Sequence, residues 1–136
     1  DVKIKIGSAF EDSRNLVTTM KGRNLITGLP DEIEISTEEV REALLEPVSL
    51  IVEGVKNILE KTPPELAADI IEKGILMTGG GSLLDGLDML IEENTGVTVT
   101  IASNTVEAVA EGTGHVLSYI DKIDSDIFGN ELSIME

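Results

Sequence analysis

Apolar and polar positions along this chain recur with a period that changes from segment to segment, and the changes mark its elements. Val2, Ile4 and Ile6 alternate with Lys3 and Lys5, the period of a half-buried strand, though so short a run fits a truncated helix end as well. Leu16 to Met20 and Glu32 to Ile35 read as short strands separated by the turn-rich runs Lys21-Gly22-Arg23-Asn24 and Thr27-Gly28-Leu29-Pro30, and together they predict a small antiparallel sheet. Ser36 and Glu39 have the spacing of a capping box, in which each side chain satisfies a backbone N–H of the other, so a helix is expected from Thr37 to about Glu46.

Pro47 suits a first helical turn, and Val48, Ile51, Val52, Val55, Ile58 and Leu59 follow at helical spacing, which predicts a second, long amphipathic helix. Thr62-Pro63-Pro64-Glu65 should end it and open another, with Thr62 as N-cap, Leu66, Ile70 and Ile71 facing inward, and Gly74 as C-cap. Ile75 to Thr78 predict a short buried strand and Gly79-Gly80-Gly81 a tight turn. Leu83, Leu84, Leu87, Leu90 and Ile91 then form the stripe of a helix ending near Gly96. Val97, Val99 and Ile101 make the next strand. Asn104 is the expected N-cap of a last helix through Val106, Val109, Ala110, Val116, Leu117 and Ile120, whose Gly112 and Gly114 suggest close packing. Residues 1–46 thus read as a small α+β unit, 47–120 as a larger α/β unit, and 121–136 as a loosely held acidic tail.

Composition narrows the partners. Twenty-six acidic residues against 10 basic ones give a net charge of −16, a field that repels phosphate backbones and anionic lipid, so nucleic acid is not an expected partner. The absence of cysteine excludes disulfides and thiolate metal sites and fits a reducing compartment, with the cytoplasm as default. No apolar run reaches bilayer-spanning length, and the opening residues lack the pattern of a signal peptide. The chain opens without methionine, which reads as a processed or excised piece.

The chemistry concentrates at Gly79, Gly80, Gly81 and Ser82, where a strand meets a helix start. Backbone N–H groups and a helix dipole there can receive a sugar or phosphate without any basic side chain, and Ser82 can donate. The run is not a P-loop, because Leu87 stands where the lysine is needed. It is not a dinucleotide fingerprint either, since Leu84, or Leu117 when counted from Gly112, replaces the third glycine. By pattern alone a nucleotide cradle and a ligand-free tight turn both stand.

Other candidates favour plain roles. His115, the only histidine, has no ligand-spaced companions and reads as a helix-surface or packing residue, and a triad of Ser82, His115 and an aspartate has no supporting spacing. Asp31-Glu32-Glu34 and Glu38-Glu39 read as solvated faces, and Met20, Met77 and Met89 as core filler.

Met77-Thr78-Gly79-Gly80-Gly81-Ser82-Leu83-Leu84-Asp85-Gly86-Leu87 resembles the adenosine motif of the actin-like ATPase superfamily. Three further segments resemble the MreB/Mbl family of bacterial actin homologues that set rod shape: Glu60 to Ile70, Gly22 to Pro30 and Val40 to Leu44. The resemblance covers residues 1 to about 120 and implies an α/β, actin-like (ribonuclease H-like) ATPase fold, here part of the second lobe with a small α+β subdomain inserted. By resemblance, Gly79, Gly80, Gly81 and Ser82 approach the adenosine and inner phosphates of ATP or ADP, and Lys3 matches a lysine on the helix lining the adenine side, which favours helix at the N-terminus. The family's ribose-contacting glutamate would fall just before Asp1, and its other phosphate loops, Mg²⁺-organising acids and catalytic glutamate precede this segment. The chain alone is therefore expected to be inactive, and its parent an ATPase with Mg²⁺. The resemblance further implies self-association into filaments, with Arg14, Arg23 and Arg41 as candidates for the polymer contact because the family's subunits stack with the small subdomain meeting the next molecule, work with the cell-shape and cell-wall synthesis machinery, and a place at the inner membrane face through the parent. The alternatives are a stand-alone interaction or scaffold domain without nucleotide, or half of another actin-superfamily ATPase such as a chaperone or sugar kinase, against which the segments around Pro30 and Pro64 argue.

Overall fold

The computed structural model describes residues 1–11 and 14–119. Its elements in chain order are α1 (Val2–Ile6), β1 (Val17–Arg23), β2 (Pro30–Ser36), α2 (Thr37–Lys61), α3 (Pro64–Lys73), β3 (Ile75–Met77), one 3-10 turn (Gly80–Leu83), α4 (Leu87–Thr95), β4 (Val99–Ile101) and α5 (Ala108–Leu117).

The open choice at the N-terminus resolves as helix. α1 buries Ile6 and ends where the Gly7 N–H donates to the Lys3 carbonyl at 2.8 Å, a turn so tight that a Cβ on residue 7 would lie 2.3 Å from that oxygen. β1 and β2 pair antiparallel from Val17 opposite Ser36 to Arg23 opposite Pro30, the sheet expected there, extended at its tip end. Asn24 holds the connecting turn, its Oδ1 accepting from the N–H groups of Ile26 and Thr27 at 2.9 and 3.2 Å, and the turn leaves Leu25 and Ile26 97% and 96% exposed.

α2 begins as the capping box dictates: the Glu39 N–H donates to Ser36 Oγ at 3.3 Å and the Ser36 N–H to Glu39 Oε2 at 2.9 Å. It does not stop at Glu46, and no second helix starts at Pro47. One helix of 25 residues runs through the proline, so the boundary read between 46 and 47 falls inside a single element. Two facts account for this. Pro47 and Ala43, whose carbonyl the proline deprives of a donor, are both exposed to water, and the stripe Leu44, Val48, Val52, Val55 continues unbroken past Pro47 onto the core.

Two expectations about the following segments are corrected and one is met. Thr62 is the C-cap of α2, donating its hydroxyl to the Ile58 carbonyl at 2.7 Å, and α3 starts after Pro63 with no side-chain cap. Leu66 and Ile71 do not face inward: they are 55% and 68% exposed, and α3 has no buried residue. Gly74 does close α3, at φ +80°, with Thr98 O 2.6 Å from where a Cβ would sit.

β3 and β4 pair in parallel, Ile75 opposite Val99 and Met77 opposite Ile101, joined through α4 as parallel strands require. α4 starts at Leu87, not at Leu83. Gly86, at φ +72°, redirects the chain there, and a Cβ on it would lie 2.5 Å from Phe10 Cβ. Asn104 does not cap α5. Its amide reaches Glu107 and Glu111 at 3.2 and 2.8 Å, and the helix begins at Ala108 after Glu107. Gly112 and Gly114 have no heavy atom within 4 Å of a built Cβ, so the close packing expected of them is not met among the described residues. Ile120 and the acidic tail 121–136 lie outside the described residues.

The core is a wedge of α2, α4 and β4: Val48, Val52, Leu87, Ile91 and Val99, with Leu44, Val55, Ile75, Met77, Leu84 and Leu90 packed against it. Met77 belongs to it as expected, whereas Met20 and Met89 are exposed and fill no core.

Candidate functional site

β3 delivers the chain to the glycine-rich run at the edge of this wedge. Gly79 takes φ +83° and ψ 167°, a conformation that requires glycine, and its N–H donates to the Thr105 carbonyl at 2.7 Å. The chain then makes one 3-10 turn before Gly86 starts α4, so the turn and the α-helix N-terminus are separate features. The expected direct junction of glycine turn and helix dipole is corrected accordingly.

Within the turn, Ser82 is 3% exposed. Its hydroxyl donates to the Gly79 carbonyl at 2.7 Å and its N–H to the same oxygen at 3.2 Å. The side chain therefore braces the turn from inside, and what the turn presents outward is main chain. Gly80 and Gly81 are exposed, carry no positive φ, and a Cβ built on either meets nothing within 4 Å. Their N–H groups open the 3-10 turn, the position for which a helical turn has no internal partner.

Four of the expected site residues, Gly79, Gly80, Gly81 and Ser82, thus lie together on one turn, with Ser82 on its buried side. Lys3 stands on a separate element, exposed on α1. The segment after α1 returns to the far end of the turn, where Ser8 forms a parallel bridge with Asp85 and the Ala9 N–H donates to the Asp85 carbonyl at 2.7 Å. Sequence reasoning missed both moorings, Thr105 and Asp85, because a backbone acceptor leaves no residue-type signature. Arg14, Arg23 and Arg41 are all engaged within the chain: Arg14 with Asp85 at 3.1 Å, Arg23 Nε with the Gly28 carbonyl at 2.9 Å, Arg41 with Glu38 at 2.6 Å. His115 is exposed on α5, and among the described residues no three His, Cys, Asp or Glu side chains gather as a metal site. A separate groove of about 560 Å³ runs between α2 and α4, floored by Leu44, Val48, Val52 and Leu90, and none of residues 79–82 lines it.

Comparison with known proteins agrees with this arrangement. The family described as MreB/Mbl protein matches residues 1–125. The cell shape-determining protein Mbl of Bacillus subtilis (strain 168) is 47% identical over 123 residues, covering 90% of this chain and 37% of Mbl. The cell shape-determining protein MreB of Escherichia coli (strain K12) is 42% identical over 130 residues, 96% of this chain and 38% of MreB. The crystal structure of MreB5 of Spiroplasma citri bound to ADP superposes with a TM-score of 0.83 at 39% identity, over 89% of this chain and 37% of that one. The AMPPNP-bound form of MreB5 gives 0.82 at the same identity. The chain spans a little over a third of the length of these relatives. The turn, the parallel pair around α4 and the hairpin before them are accordingly part of an actin-like ATPase fold, and the chain belongs to the MreB/Mbl family.

Proposed function

We propose that this chain supplies the adenosine side of an ATP or ADP site in a filament-forming, cell shape-determining protein. The observation that carries the reading is the open space before Gly80 and Gly81. Gly22, Gly54, Gly112 and Gly114 are as open, but Gly80 and Gly81 alone among these open the 3-10 turn that follows β3, where N–H groups without internal partners and no side chain leave room for a ligand to approach the main chain closely. The ADP- and AMPPNP-bound state of MreB5, a structural neighbour, supports the same assignment. In this reading Gly79 shapes the turn, the N–H groups of Gly80 and Gly81 face the sugar and inner phosphates, Ser82 holds the turn rigid, and Lys3 flanks the adenine.

Chemistry at the terminal phosphate, with its Mg²⁺, is assigned to the remainder of the longer protein, of whose relatives this chain spans a little over a third. Nucleotide joining the two lobes then favours the subunit shape that stacks into filaments, a population shift driven by contacts made in one shape and not the other. The β1–β2 hairpin becomes part of a small subdomain beside the cleft, and the wedge of α2, α4 and β4 part of a larger one beneath it. The exposed Leu25 and Ile26 belong to the filament surface, and the cell-wall synthesis machinery and the inner membrane face are reached through the whole protein. Among the described residues no helix is long and apolar enough to cross a membrane.

Titrating ADP into the protein while following backbone amide shifts tests the reading. The largest changes are expected at Gly79 to Ser82, with weak binding by this chain alone. Amide signals that stay unmoved at millimolar nucleotide in the intact protein would overturn it.

A further inference from the structure

We infer that Asp85 is a positioning residue for the glycine turn, and that its ion pair with Arg14 couples the turn to the β1–β2 hairpin. The inference rests on the nucleotide reading above for its consequence, and on geometry for its mechanism. The turn is moored at entry by the Gly79 N–H on Thr105 and at exit by residue 85. Three ties meet at that exit. The Asp85 carbonyl accepts from the Ala9 N–H at 2.7 Å and from Ser8 Oγ at 3.4 Å, and its Oδ1 pairs with Arg14 Nη2 at 3.1 Å. The adjoining Gly86 lies so close to Phe10 that residues 8–10 and 85–86 must move together.

Arg14 stands three residues before β1, on the segment that leads into the hairpin. That segment is locked again at Leu16, whose N–H donates to Thr37 Oγ1 at 3.0 Å and whose carbonyl accepts from the Thr37 N–H and hydroxyl at 2.8 and 3.2 Å. Thr37 is the first residue of α2 and is buried. A displacement of the hairpin base together with the start of α2 therefore reaches Arg14 within two residues, and Arg14 transmits it to the end of the turn. Asp85 is suited to be the receiver, because its Oδ2 is buried and has no hydrogen-bond partner among the described residues, leaving Arg14 as its compensating charge. The pair is partly exposed, with 35% and 26% of the two side chains accessible, so its influence is a bias of a few-fold and not an on–off switch.

Charge reversal in the intact protein tests the coupling. Arg14→Glu and Asp85→Arg are each expected to weaken ADP binding about five-fold, the upper range for a partly exposed pair. The doubly reversed protein, Arg14→Glu with Asp85→Arg, is expected to return to within about two-fold of wild type. A pair that only stabilised the fold would lower the melting temperature of the single variants while leaving the ADP affinity of the folded protein at the wild-type value. Hydrogen exchange at Gly80 and Gly81 without nucleotide gives an independent reading: faster in each single variant, recovered in the double. Should wild type fail to bind ADP at the turn, the nucleotide reading falls, and the exchange data alone still decide the coupling. Arg14→Gln serves where a reversal impairs folding. Unchanged exchange and affinity in the single variants, or a double variant as impaired as its parents combined, would overturn the inference.

Discussion

Gly74 and Gly86 lie on the filled side of the molecule, Gly80 and Gly81 on the open side. The first pair takes positive φ, and a side chain at either would strike Thr98 or Phe10. The second pair takes ordinary backbone angles and faces nothing. The same residue type thus answers two different demands. Where the chain's own neighbours crowd a glycine, packing explains it; Gly80 and Gly81 are not explained in that way, and the ligand proposed above is what would use their open main chain. The contrast extends beyond glycine. Around Val48, Val52, Leu87, Ile91 and Val99 the chain completes its own core, whereas α3, α5 and the hairpin tip leave Leu66, Ile71, Val109 and Leu25 exposed.

The sharpest way to break this comparison is to damage each side in turn. Ile91→Ala, at a residue 2% exposed in the wedge, is expected to lose about 2–5 kcal/mol of stability in urea unfolding, while Leu25→Ala at the hairpin tip stays within about 0.5 kcal/mol of wild type. Equal losses would mean the wedge is not the core. Gly86→Ala forces a side chain into Phe10 at positive φ and is expected to lose about 3 kcal/mol, whereas Gly80→Ala should change stability by less than about 1 kcal/mol. A large loss for Gly80→Ala would return that glycine to a structural role.

Smaller effects sharpen the picture at the start of α2. Ser36→Ala removes the cap and is expected to lower stability by about 1 kcal/mol. Its pH signature follows from Glu39, whose carboxyl is held below the ordinary range first by the Ser36 N–H and then by the Ser36 hydroxyl. A group depressed in the folded state stabilises fully above its unfolded value, and that stabilisation fades as pH falls through the folded value. Asp31 behaves alike, lowered first by the Asn24 side chain and then by the Glu32 N–H. Wild type should therefore lose stability more steeply than Ser36→Ala between about pH 5 and pH 3, and parallel thermal-melting curves would contradict the role given to the box.

Much of the fold was legible because its signals are local. The Ser36–Glu39 box, the turn-rich run before Pro30, Gly74 as a stop and the alternation in Val97, Val99 and Ile101 each act through neighbours a few residues away. The errors share a cause in tertiary packing. The stripe from Leu44 to Val55 carries α2 through Pro47, and Phe10, distant in sequence, requires Gly86 and so postpones α4 to Leu87. Leu66 and Ile71 carry a helical apolar pattern that nothing described covers. At the candidate site the glycines are conspicuous in the sequence, whereas the hydrogen bond from the Ser82 hydroxyl to the Gly79 carbonyl, which braces the turn, is not. The moorings at Thr105 and Asp85 could not be read because main-chain acceptors are blind to residue type.

The most direct measurement is ADP affinity by calorimetry for the intact protein and its Gly80→Val variant, with thermal melting of both in the absence of nucleotide. A nucleotide cradle built from main chain predicts that the variant melts as wild type does and loses about ten-fold or more in affinity. An affinity equal to wild type would contradict it.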